Sequence, residues 1–167
     1  MRHDAVGTAP YDACMTDLPQ PSEASVFSVE IEHRFEAPLA VVWRAWTDPE
    51  RVSRWWGSDP DGVVTSAGLD VRVGGRFEIS FRDPSGDAHT SRGEYLRVEE
   101  PDVLDFTWSW ESEPGAVSRV TVELVGDGDA TVMRFVHGEL VGVSSHDYAP
   151  GWRRTFDKLD AVLADQR

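Results

Sequence analysis

A succession of short alternating segments broken by turn residues, closed by one long amphipathic stretch, constrains this chain more than any other feature. Apolar and polar residues alternate over about 69–73, 76–83, 90–98, 102–111, 117–125 and 130–137. Between them stand Gly74-Gly75, Asp83-Pro84-Ser85-Gly86-Asp87, Glu100-Pro101-Asp102, Glu113-Pro114-Gly115 and Gly126-Asp127-Gly128-Asp129, all of them turn chemistry. A period of two marks a half-buried strand. Gaps this short leave no room for crossover helices, so the strands form an antiparallel meander.

An earlier strand is expected over 26–35, where Phe27, Val29, Ile31, His33 and Phe35 alternate with Ser28, Glu30, Glu32 and Arg34. Ala37-Pro38 ends it, and Leu39, Val42, Trp43 and Trp46 then recur at helical spacing. Asp48-Pro49 restarts the signal as N-cap and first helical residue of a short helix over 49–54. Residues 57–68, rich in Gly, Asp and Ser, are expected to be a loop. The last element spans about 146–165, with Trp152, Phe156, Leu159 and Leu163 on one stripe. Residues 138–150 form either a surface connection or a lid, the former being the commoner role of a loop. Residues 1–24 carry no sustained apolar period and are expected to be a flexible arm before a single domain over 25–167.

Sheets covered on one face sort their residues by parity. The inward sets are Phe77, Ile79 and Phe81; Leu104, Phe106, Trp108 and Trp110; Val120, Val122 and Leu124; and Thr131, Met133, Phe135 and His137. The stripe of the last helix must cover them. Parity also places His33, Tyr95, Arg97 and His137 on the apolar face, where a polar group needs a partner, an edge or a wet cavity. Glu78, Glu94 and Asp105 fall on the outward parity unless a bulge shifts the register.

Composition removes several classes of function. A formal net charge of −14 opposes nucleic acid and anionic membrane surfaces, both of which call for basic patches. The single cysteine, Cys14, makes no internal disulfide, and no Cys/His grouping has metal spacing. No window reaches membrane-spanning length and no signal-peptide pattern opens the chain, so no membrane insertion and a cytoplasmic location are expected. No Ser-His-Asp spacing or phosphate-binding glycine loop is present. No cofactor, metal ligand or assigned catalytic residue is therefore expected.

Several motifs in order carry a family resemblance. They are Ala37-Pro38, Val42-Trp43, Trp46-Thr47-Asp48-Pro49-Glu50, Trp55-Trp56, Asp70, Gly74-Gly75-Arg76-Phe77 and Gly93. Glu100-Pro101, Leu104, Thr107-Trp108, Val120-Thr121-Val122, Thr131, His137 and Gly151-Trp152 continue the series. Over about 25–165 the chain resembles the Hsp90 ATPase activator homologue family, within the START/Bet v 1-like helix-grip superfamily. The resemblance implies an α+β helix-grip fold. In it, a curved antiparallel sheet of about seven strands wraps a long C-terminal helix, two short helices follow the first strand, and a hydrophobic pocket lies between sheet and helix. It also implies apolar small-molecule ligands. The eukaryotic namesake that stimulates a chaperone ATPase is much longer and has an additional N-terminal domain. The 24-residue arm cannot replace that domain, which makes a chaperone partner doubtful.

The favoured expectation is a binding domain for a small hydrophobic molecule, with Trp56, Phe77, Tyr95, Phe106, Trp108, Trp110, Phe135, His137, Trp152 and Phe156 as candidate ligand-binding residues. An enzyme of cyclase, aromatase or hydratase type, with His137 and Tyr95 supplying acid or base, is a second reading. A regulatory or chaperone-linked interaction module presenting an exposed Trp55-Trp56 is a third. Either member of that pair could instead seal the pocket mouth. A homodimer stays open.

Overall fold

The computed structural model describes residues 26–141 and 147–166. The arm over 1–24, Cys14 and the middle of the 138–150 connection lie outside the described residues. The elements run β1 (Val26–Phe35), α1 (Leu39–Thr47), α2 (Pro49–Val52), β2 (Val63–Leu69), β3 (Arg76–Arg82), β4 (Ala88–Glu99), β5 (Val103–Trp110), β6 (Ser118–Asp127), β7 (Ala130–Val141) and α3 (Tyr148–Ala164). The seven strands make one sheet in the order β1-β7-β6-β5-β4-β3-β2. Every pairing is antiparallel. From β2 to β7 the chain is the expected meander, and β1 returns to pair with β7.

The cap chemistry of α2 is as the sequence predicts. The Asp48 side chain accepts from the backbone N–H of Glu50 at 3.0 Å, and Pro49 occupies the first turn. The helix closes at Val52, two residues before the expected end. Along α3, Trp152, Phe156, Leu159 and Leu163 are all buried, so the predicted stripe faces the sheet. The inward sets of β5, β6 and β7 are likewise buried, Trp110 alone remaining half-exposed.

Three sequence expectations are corrected. The segment 69–73 is not a strand: β2 ends at Leu69 and the chain turns over 70–75. The strand lies instead within the expected loop 57–68. β2 is an edge strand whose inward residues are Val64, Ala67 and Leu69, and a register shift between Val64 and Ser66 breaks the period of two. Gly74 turns the chain with φ +81°, and the backbones of Gly74 and Gly75 pair with Tyr95 on β4 at 2.8 and 2.9 Å.

The second correction concerns Arg97. A bulge between Tyr95 and Arg97 leaves Tyr95 opposite Phe106 and sets Arg97 opposite Asp105. Arg97 therefore leaves the apolar face and forks onto Glu99 at 2.7 and 2.8 Å in solvent, while Val98 turns inward beside Leu104. One extra residue reverses parity for the rest of the strand. β7 also runs four residues beyond its expected end, to Val141, which converts 138–141 from connection to strand.

Candidate functional site

Aromatic side chains from four elements meet where α3 begins over the end of the sheet. Trp152 on α3 lies 5.2 Å from Trp108 on β5, ring centre to ring centre. Trp108 lies 5.3 Å from Trp110 on the same strand and 5.7 Å from Trp56, which follows α2. These four indoles border a partly open pocket of about 170 Å³. Phe81 and His89, from β3 and β4, form one side, and Ser58, Asp147, Tyr148 and Thr155 form the rim. Two larger depressions lie elsewhere on the surface. The one of about 640 Å³ lies on the solvent side of β2–β5, among Glu78, Glu94, Thr107 and Ser109. The one of about 360 Å³ runs along the β5–β6 turn and the end of β7.

Behind the pocket the interior is filled. A second void of only about 10 Å³ lies among Trp46, Trp56, Phe77, Tyr95 and Phe106, hardly room for one water centre. Trp56 borders both spaces and is the wall between them. It is pinned twice: its Nε1 donates to the buried Ser91 Oγ at 3.1 Å, and its carbonyl accepts from Lys158 Nζ at 3.3 Å. Lys158 Nζ also donates to the Asp59 carbonyl at 2.9 Å, tying the loop after α2 to α3. Burial lowers the Lys158 pKa, opposed by the charge of Asp59.

His137 is buried completely beside this wall. Trp152 Nε1–H donates to its Nδ1 at 3.0 Å, which puts the imidazole proton on Nε2, facing Ser118 Oγ at 2.7 Å. Desolvation pushes its pKa down to about 3, so the ring is neutral. Both nitrogens are occupied, and neither is left to exchange a proton with a substrate. Burial, and then the charge of Asp70, raise the Tyr95 pKa, so its phenol is neutral too. Tyr95 borders the inner void, not the pocket.

At the opposite side, His89 Nε2 meets Asp83 Oδ2 at 3.2 Å, and its ring packs on Phe81 at 5.4 Å. The Ser85 hydroxyl first, and then His89, hold the Asp83 carboxyl down at about 2. Trp110 Nε1 donates to Tyr148 Oη at 3.1 Å, joining β5 to the first turn of α3. Among the described residues, two buried indole N–H groups have no hydrogen-bond partner, those of Trp46 and Trp108.

The candidate residues thus divide into three groups. Trp56, Trp108, Trp110 and Trp152 border the pocket. Phe77, Tyr95 and Phe106 border the inner void with Trp56. Phe135, Phe156 and His137 are buried and border neither space. Trp55 and Trp56 are both buried, Trp55 donating to the Ala45 carbonyl at 2.9 Å, so the exposed Trp pair expected of an interaction module is absent. Sequence reasoning missed His89, Ser58, Asp147, Tyr148 and Thr155. Phe81 stood in an inward set and Gly151-Trp152 among the motifs, but nothing in the sequence singled out the rim. Among the described residues there is no grouping of His, Cys, Asp and Glu able to hold a metal ion, and no helix is long and apolar enough to cross a membrane.

Comparison with known proteins places this geometry. The family model for Activator of Hsp90 ATPase homolog 1-like protein matches residues 36–164. The AHSA1-like protein from Aeromonas hydrophila is 24% identical, with a TM-score of 0.68 over 84% of this chain and 94% of that one. A putative uncharacterized protein from Rhizobium leguminosarum is 23% identical, with a TM-score of 0.73 over 85% and 97%. CalU16 from Micromonospora echinospora is 28% identical, with a TM-score of 0.60 over 84% and 78%. No curated protein matches the chain.

Proposed function

The chain belongs to the Activator of Hsp90 ATPase homolog 1-like family, and from that premise we propose that it is a non-catalytic binding domain for a small apolar molecule. The observation that carries this reading is the pocket of about 170 Å³ walled by four indoles and rimmed by a few polar groups. Concave, mostly aromatic surfaces with sparse polar groups are the usual form of such sites. The neutral, fully engaged His137 supports binding over acid–base chemistry, because a catalytic base needs a free nitrogen within reach of its proton. Native mass spectrometry of the protein as purified, followed by denaturing extraction, tests the proposal. A near-stoichiometric apolar compound is expected. An empty protein that also shows no thermal shift across an apolar compound library contradicts the reading.

A further inference from the structure

Two spaces lie on either side of one side chain. The partly open pocket of about 170 Å³ and the void of about 10 Å³ behind it are both bordered by Trp56, and among the described residues Trp56 alone borders both. On the pocket side its ring centre lies 5.7 Å from that of Trp108 and 5.8 Å from that of Trp152. On the inner side it lies 6.3 Å from Trp46 and 6.5 Å from Phe77. We propose that Trp56 is the specificity-determining residue of the pocket, limiting the buried part of the ligand to about one aromatic ring. The proposal rests on the pocket being a binding site.

An apolar cavity of about 150 Å³ holds one benzene ring, so a pocket of about 170 Å³ holds one ring with little to spare. Inward of it, the next free space is the void behind Trp56, far too small for a ring. Trp56 is held as a fixed wall. Its indole donates to Ser91 Oγ at 3.1 Å, Ser91 being fully buried, and its carbonyl accepts from Lys158 Nζ at 3.3 Å. An indole that swung aside would forfeit the first of these bonds and leave the Ser91 hydroxyl buried without it. Truncating the indole has a different consequence, because it joins the two spaces. The gap left between Trp108 and Trp152 on one side and Trp46 and Phe77 on the other is walled by aromatic rings. An apolar gap of ring size stays dry and takes up an apolar ring.

The test uses the full chain and two probes, acetophenone with a single ring and 2-acetylnaphthalene with a fused pair, with dissociation constants from NMR titration. Both are measured on the wild type, Trp56→Leu, Trp56→Phe and Leu104→Ala. Leu104 borders the inner void and not the pocket, so its truncation enlarges the space behind the wall without opening it. In the wild type the added ring stays outside, and the two constants should agree within about 3-fold. In Trp56→Leu that ring is buried, and the preference for 2-acetylnaphthalene should rise about 10-fold or more. The rise should be smaller in Trp56→Phe and absent in Leu104→Ala. 2-Acetylnaphthalene should also shift the Trp46 indole signal in Trp56→Leu while leaving it unmoved in the wild type. Should Trp56→Leu fail to fold, the rise or constancy in Trp56→Phe decides. A wild-type preference of about 10-fold or more for the larger probe, a constant ratio in the Trp56 variants, or an equal rise in Leu104→Ala overturns the role of Trp56, while acetophenone binding keeps the pocket reading. If neither probe binds the wild type, the proposal and the pocket reading fall together.

Discussion

Lowering the pH from 7 to 4.5 should destabilise this protein in part through His137, and replacing that residue should remove its share of the loss. His137 is fully buried, takes a hydrogen bond from Trp152 at Nδ1, and is held neutral with a pKa of about 3. In the unfolded chain it titrates near the ordinary value of about 6.5. Between those two values the unfolded state binds one proton more than the folded state, so stability falls as pH falls. The slope is about 1.4 kcal/mol per pH unit, reaching about 2.7 kcal/mol at pH 4.5. The Asp83 carboxylate, held at about 2, begins to matter only below the unfolded carboxylate range near 4, which is why the window stops at 4.5. Urea unfolding of wild type and His137→Gln across this range isolates the term, since the other histidines cancel in the difference. Gln can still accept from Trp152 and donate to Ser118, so the variant should fold at neutral pH. The two stability curves should converge by on the order of 2–3 kcal/mol as pH falls. Parallel curves would mean that His137 titrates in the folded state as it does in water, and the sealed wall behind the pocket would be refuted.

Three further substitutions test how the frame is held. A Cβ on Gly93 would sit 1.8 Å from the Thr107 carbonyl oxygen and 2.7 Å from the Phe77 ring, so Gly93→Ala should cost about 3 kcal/mol or more in denaturant unfolding. The Asp105 carboxylate lies on the outer face yet is 7% exposed, under a forked Arg119 whose Nε donates to it at 2.8 Å. Arg119→Met should cost about 2 kcal/mol, below the value for a fully buried pair because the guanidinium is 45% exposed. The Asp105→Asn/Arg119→Met double variant should recover part of that loss. Lys158→Met strips the Trp56 and Asp59 carbonyls of their donor, and should cost about 1–3 kcal/mol. The same variant should raise hydrogen exchange in residues 56–59, while β6 and β7 stay protected.

Most of the frame could be read from the sequence, because β5, β6, β7 and α3 bury one face and keep strict periods. The inward sets Leu104-Phe106-Trp108, Val120-Val122-Leu124 and Met133-Phe135-His137 are all buried. Where a strand has little to bury, the signal fails: β2 sits at the sheet edge with Val63 exposed and a bulge after Val64, and its composition resembles a loop. At Arg97, parity gave the wrong face because the period contains no trace of the bulge. The pocket was half legible. Trp108, Trp110 and Trp152 follow from parity and helix stripe, but parity does not tell a filled interior from an open one. Phe135 and Phe156 share the faces of the pocket residues and yet pack solid, their rings 5.1 Å apart. The rim at His89, Ser58 and Asp147 comes from loops and strand ends, where no periodicity acts. The engagement of His137 depends on Trp152, 15 residues away, and on Ser118, 19 away, a closure that only the fold supplies.

The most direct test of the binding account is the indole N–H region of a ¹H–¹⁵N correlation spectrum recorded while acetophenone is added. Seven tryptophans give seven probes, spread from α1 to α3. The account predicts saturable shifts at Trp56, Trp108, Trp110 and Trp152, which border the pocket, with Trp43 on α1 unmoved. Saturable shifts centred on residues away from this wall, or an indole spectrum unchanged at millimolar ligand, would contradict it.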